Sequence, residues 1–143
     1  MSCGKTKASA LALNVLAPFS IENHLKYLTE NNLKYSISND ASNKCDKKMF
    51  PLSIQYFHVE NAMTNFILDF CESAEENSEK IYKEITERLA NNGLKINNLV
   101  AFGADNASIN YGVHQSVYVN LTYENDSIIK ANCLCHVIHN CAK

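Results

Sequence analysis

Leu99-Val100-Ala101-Phe102-Gly103-Ala104-Asp105-Asn106-Ala107-Ser108-Ile109-Asn110-Tyr111 is the stretch that decides the fold. It opens on an apolar run of strand length. Gly103-Ala104 ends the run, and Asp105 follows at once, ahead of small polar residues able to open a helix. A strand that delivers a carboxylate at its C-terminal end is a common way for an α/β sheet to build a site. The same event occurs earlier. Leu33 to Ser38 alternates apolar and polar residues, and Asn39-Asp40-Ala41-Ser42-Asn43 follows. Two strand-like runs therefore each end in an aspartate, and the rest of the chain reads as scaffold that brings Asp40 and Asp105 together.

The bulk properties narrow the class. The 143 residues can bury a real core, and 46% apolar with 20% charged residues is a globular balance. A net charge of −2 argues against a module that grips nucleic acid by charge alone. No apolar run has the length of a membrane span. Ala8 to Phe19 follows Lys5 and Lys7, as a leader peptide would, but Asn14 interrupts it and no small-residue cleavage pattern follows Pro18. Six irregularly spaced cysteines in a chain this large read as reduced thiols, so a nuclear or cytoplasmic setting is expected.

In chain order, residues 1–32 form an N-terminal helical segment and residues 33–143 the main domain. Ala8 to Leu16 predicts a short helix ended by Pro18, with Ser20 capping a second helix that carries Ile21, Leu25 and Leu28 on one face. Leu33 to Ser38, Met49 to Val59 and Met63 to Phe70 predict three strands with short connections, hence antiparallel. Pro51 must lie near the start of its strand or at a bulge. Ser73-Ala74-Glu75-Glu76 is a capping box for a helix with Ile81, Ile85 and Leu89 inward, closed by Gly93. The Leu99 strand follows. A long helix with Val113, Val117 and Leu121, a strand over Ile128 to Leu134, and a helix from Cys135 complete the chain. The order β-β-β-α-β-α-β-α is that of a ribonuclease H-like mixed sheet, in which the first and fourth strands are neighbours.

Two carboxylates side by side repel unless a cation lies between them. Mg²⁺ or Mn²⁺ suits such hard oxygen ligands, and a pair of ions can clamp the attacking and leaving oxygens of a phosphodiester. Either aspartate is equally explained as a cap at a strand end or helix start. Near the C-terminus, Cys133-Leu134-Cys135-His136-Val137-Ile138-His139-Asn140-Cys141 offers a C-x-x-H pair, Cys133 and His136, with zinc-ligand spacing. The competing reading is packing and hydrogen bonding at a strand-to-helix junction.

Three segments carry a resemblance. Ser36 to Lys44 is similar to the first catalytic-aspartate motif of hAT-superfamily transposase-like proteins, and Ala101 to Asn110 to the second. Cys133 to Asn140 resembles the C-x-x-H motif that follows the fifth strand in that superfamily. Ala41 after Asp40 departs from the commoner acidic residue at that place. The resemblance implies a ribonuclease H-like core, catalytic and Mg²⁺- or Mn²⁺-binding roles for Asp40 and Asp105, and metal-dependent DNA cleavage and strand transfer. It places the third acid, a glutamate, after a helical insertion beyond Lys143, and Glu124 is in the wrong place for it. The 143 residues are thus expected to be inactive alone, with DNA engaged through other domains. The alternative is a domesticated, non-catalytic module that contacts other proteins.

Overall fold

The computed structural model describes residues 4–39, 42–44, 47–73, 77–133, 138 and 141. The chain opens with 26 continuous helical residues, composed of α1 (Lys5–Leu11), a π-helical stretch (Ala12–Leu16) and α2 (Ala17–Glu30). Two expectations fail here: Pro18 does not end a helix and Ser20 does not cap one. The reason is the wide π turn just upstream. The Ala17 N–H reaches five residues back to the Ala12 carbonyl. Proline's missing donor and its ring's clash with the carbonyl four residues back are both absorbed where the turn is already widened.

Helix α2 is closed two residues past Glu30 by Asn32, whose φ of 48° is left-handed. Asn32 N–H donates to the Thr29 carbonyl and Leu33 N–H to that of Leu28, a Schellman closure. β1 (Tyr35–Asn39) follows, then β2 (Ser42–Lys44), β3 (Lys47–His58) and β4 (Ala62–Ser73). α3 (Ser78–Asn91) closes in the same way as α2, with Gly93 at φ 71° and Leu94 N–H donating to the Leu89 carbonyl. This fulfils the glycine-stop expectation. A 3-10 turn (Ile96–Asn98) leads into β5 (Leu99–Ala104), then α4 (Ser108–Tyr111), α5 (Val117–Glu124) and β6 (Ile129–Asn132).

The strands form one mixed sheet in the order β4-β3-β1-β5-β6, with β2 beside the far end of β3. β1, β3 and β4 are antiparallel, whereas β5 lies parallel to β1 and β6 parallel to β5. With β1 and β2 counted as one interrupted strand, this is the 3-2-1-4-5 arrangement, consistent with ribonuclease H-like topology. Pro51 is inside β3, where it pairs with Phe70 of β4. One residue on, the β3–β4 register slips: Leu52 pairs Asp69 and Ser53 pairs Ile67, leaving Leu68 as the extra residue of a bulge. Leu68 is buried, and Asp69 turns to meet Arg88 of α3.

Two further expectations are corrected. Ser73 is the last residue of β4, not a cap; the cap of α3 is Asn77, whose Oδ1 accepts from Glu79 N–H at 2.9 Å. The long helix after Asp105 is two short ones. Gly112 separates them, and a Cβ there would lie 2.6 Å from the Ser108 carbonyl oxygen. Ser116 then recaps α5 by accepting from Val119 N–H, so Val113 ends up exposed rather than core.

The core lies on one face of the sheet. Tyr35, Ile37, Leu52, Ile54, Tyr56 and Phe102 meet Leu28 of α2, Ile81, Ile85 and Leu89 of α3, and Val117 and Leu121 of α5. The opposite face carries exposed Phe57, Met63, Ile67, Phe70 and Ile129. α2 is fastened to the core face by a ring cluster. His24 stacks on Phe66 and its Nδ1 lies 2.8 Å from the Tyr56 hydroxyl, while Tyr27 stacks on His58.

Burial of His24, and secondarily the neighbouring His58, lower its pKa below the ordinary 6.5. The unfolded chain therefore takes up the proton at higher pH than the native one. Stability from this site is whole above the unfolded value and is lost as pH falls below it. Thermal melts are expected to show Tm declining from about pH 7.5 to about pH 5.5. In His24→Phe, which keeps the stacking on Phe66, that decline should be shallower; an unchanged slope would assign the effect to another group.

Candidate functional site

The site is built at the end of the sheet where β1 and β5 run out together. Their parallel register pairs Ile37 with Phe102 and Asn39 with Ala104. These last two directly precede Asp40 and Asp105 in the chain. Asp40 lies outside the described residues, as does His136. Asp105 is half-buried just past β5. Its Oδ1 accepts from Ala107 N–H at 3.2 Å and from Asn110 Nδ2 at 2.6 Å. Its Oδ2 takes no hydrogen bond among the described residues. The cap reading of Asp105 is thus realised on one carboxylate oxygen.

Cys133 comes to the same end. β6 pairs Asn132 with Ala104, and Cys133 N–H continues the ladder to the Ala104 carbonyl at 3.1 Å. The floor beneath is braced by Tyr111 of α4. Its hydroxyl is 2.9 Å from both the Phe102 and Ala131 carbonyl oxygens, which ties β5 to β6. Burial foremost pushes the Tyr111 phenol up to about 12, so it stays a proton donor across the physiological range. Lys130 Nζ sits 4.4 Å above the same ring, a cation–π contact beside the site.

Asn39 is the residue that sequence reading missed. It is only 6% exposed, and its Oδ1 is buried without a hydrogen-bond partner among the described residues. Leaving a buried acceptor unpaired costs roughly 1–3 kcal/mol. The available signal was its neighbour: a polar residue at an inward position of an alternating strand, immediately before an aspartate.

The donor chemistry suits a hard cation in part. One free carboxylate oxygen and one orphaned carboxamide oxygen are ligand types for Mg²⁺ or Mn²⁺. Among the described residues, however, no three His, Cys, Asp or Glu side chains gather to hold an ion. Any shell would have to be completed by Asp40, by water or by a substrate oxygen. No protein-family model matches the chain, and no curated protein matches it either.

Asn39→Val is the direct test of the orphaned acceptor. Removing the carboxamide while keeping a strand-favouring side chain should raise the unfolding free energy by about 1 kcal/mol in urea denaturation. A drop in stability would show instead that the amide holds the strand ends together.

Proposed function

We propose that this chain is the N-terminal part of a hAT transposase-type catalytic core, in which Asp40 and Asp105 share Mg²⁺ or Mn²⁺ for phosphodiester chemistry on DNA. The observation that carries this reading is the parallel register of β1 and β5. Asn39 and Ala104 are partners, so the chain leaves both strands at one edge with an aspartate as the next residue. The mixed sheet with order 3-2-1-4-5 supports it. In this reading Asp105 offers Oδ2 to the ion while Oδ1 stays with Ala107 and Asn110. The bound ion would polarise a phosphate oxygen and lower the pKa of a water nucleophile. In this reading Cys133 and His136 are the motif that follows the fifth strand, a structural or weak zinc pair rather than catalytic groups.

Two acids alone leave an ion mostly water-coordinated, so binding should be weak and the 143 residues by themselves inactive. The 13 Lys and Arg against 15 Asp and Glu also give little phosphate neutralisation, so DNA would be gripped through other domains. A second reading, a domesticated module acting through protein contacts, is favoured by the Asp105 loop cap, which needs no metal to explain the residue.

Mn²⁺ titration separates the two. Weak binding in the native chain should vanish in Asp105→Asn, a substitution that keeps the Oδ1 acceptor for Ala107 N–H. Identical isotherms for both proteins would remove the metal reading and leave the module. In a nicking assay with Mn²⁺ on supercoiled DNA, the 143 residues should show no activity. Nicking that is lost in both Asp40→Ala and Asp105→Ala would mean that a third ligand comes from within the chain or from a second copy.

A further inference from the structure

The inward stripe of α3 begins on a polar residue. Ile81, Ile85 and Leu89 pack into the core, and Ser78 precedes them at the same helical spacing. Ser78 is 8% exposed, and its hydroxyl meets no hydrogen-bond partner among the described residues. A buried hydroxyl left unpaired costs stability and calls for an explanation. This one is not sealed off. Among the described residues, the side-chain atom that is both shut from solvent and unpaired is Asn39 Oδ1. Ser78 instead lines a cleft of about 540 Å³, through which its remaining exposure runs.

The rest of the cleft is rich in hydrogen-bond donors. Asn77 and Ser78 form one wall; Ser108 of α4, Gly112, His114 and Gln115 belong to the other, and no described residue lining it is acidic. The 14-residue helix α3 starts at the first wall. Helix starts leave N–H groups unpaired and carry partial positive charge. Asn77 Oδ1 takes the Glu79 N–H, whereas the N–H groups of Ser78 and Lys80 have no partner among the described residues. The Glu79 carboxylate is engaged along the helix surface with Lys83 at 4.0 Å. A buried hydroxyl, two unpaired amides, an imidazole and a carboxamide at the positive end of a helix suit an anion with several acceptor oxygens.

We infer that this cleft is a seat for one phosphate group, with the Ser78 hydroxyl and the first amides of α3 as its donors. α4 links the seat to the aspartate end of the sheet: Asn110 of that four-residue helix donates to Asp105, and Ser108 lines the cleft. A phosphate held here lies one short helix away from Asp105, as a strand phosphate flanking a reacting one would. The seat does not rest on the metal reading, because every donor is a protein group. The competing occupant is the chain's own acid. Glu75 and Glu76 directly precede Asn77 in the sequence and lie outside the described residues.

Amide NMR titrations of the full 143-residue chain in EDTA test this, with inorganic phosphate replacing chloride at constant ionic strength. The Ser78 and Lys80 amide signals should shift and saturate in the millimolar range. Ser78→Ala keeps a helix-favouring side chain and should weaken binding about tenfold while the circular dichroism melt stays cooperative. Ser9→Ala, at an exposed position of α1, should bind as the native chain does. Unmoved α3 amides, or equal affinity in the native chain and Ser78→Ala, would overturn the inference. So would a response seen only when Glu75→Gln and Glu76→Gln are both introduced, since the seat then belongs to the chain's own carboxylates. A short DNA strand that shifts the same amides at lower concentration than inorganic phosphate assigns the seat to a nucleic-acid backbone. A weaker response to the strand assigns it to free phosphate or a phosphate monoester. With no metal in the sample, each outcome is independent of whether Asp105 binds Mn²⁺.

Discussion

The parallel pairing of β1 with β5 is the constraint on which the remaining structure depends. It joins the antiparallel three-stranded half of the sheet to the half made of parallel strands, and it sets Ile37 against Phe102 in the centre of the core. Each of those side chains gains roughly 1.5–3 kcal/mol by burial, which a slip of one residue would forfeit by turning it to the other face. The same register decides which residues leave the sheet side by side at its far end. Site geometry and core packing are therefore two readings of one alignment.

That alignment is held at the opposite end by two matching helix exits. α2 and α3 both close with a left-handed residue, Asn32 and Gly93, and both then feed a strand of the parallel pair. Side chains stitch the two exits together: Asn98 Nδ2 donates to Asn32 Oδ1 at 2.9 Å, Lys34 Nζ to the Asn97 carbonyl at 2.7 Å, and the buried Tyr35 hydroxyl to the Lys95 carbonyl at 3.2 Å. With entry points so tied, β1 and β5 start level and arrive level. The bulge at Leu68 adjusts the outer hairpin instead, letting Leu68 stay buried while Asp69 pairs with Arg88 of α3.

The site end is less settled than the tied end. Among the described residues, Asn39 keeps an unpaired buried oxygen, and Asp105 uses one carboxylate oxygen as a loop cap while the other takes no hydrogen bond. Tyr111 holds β5 and β6 in place beneath them through two carbonyls.

The sequence by itself determined the alternation of β1, the inward stripes of α3 at Ile81, Ile85 and Leu89, the glycine stop at Gly93, and the mixed α/β class. These rest on local periodicity and backbone chemistry, which neighbours in the chain supply. It also singled out Asp105 by its setting after an apolar run. Only the tertiary structure decided the rest. Pro18 reads as a helix stop, yet the π turn before it carries the helix through. Val113 reads as core, yet the close approach of Gly112 to Ser108 splits the helix and turns that side chain to solvent. Ser73 reads as a cap until its pairing with Lys48 extends β4 to include it. The orphaned Asn39 oxygen and the arrival of Cys133 beside Ala104 depend on which strands are adjacent, and local pattern does not encode adjacency.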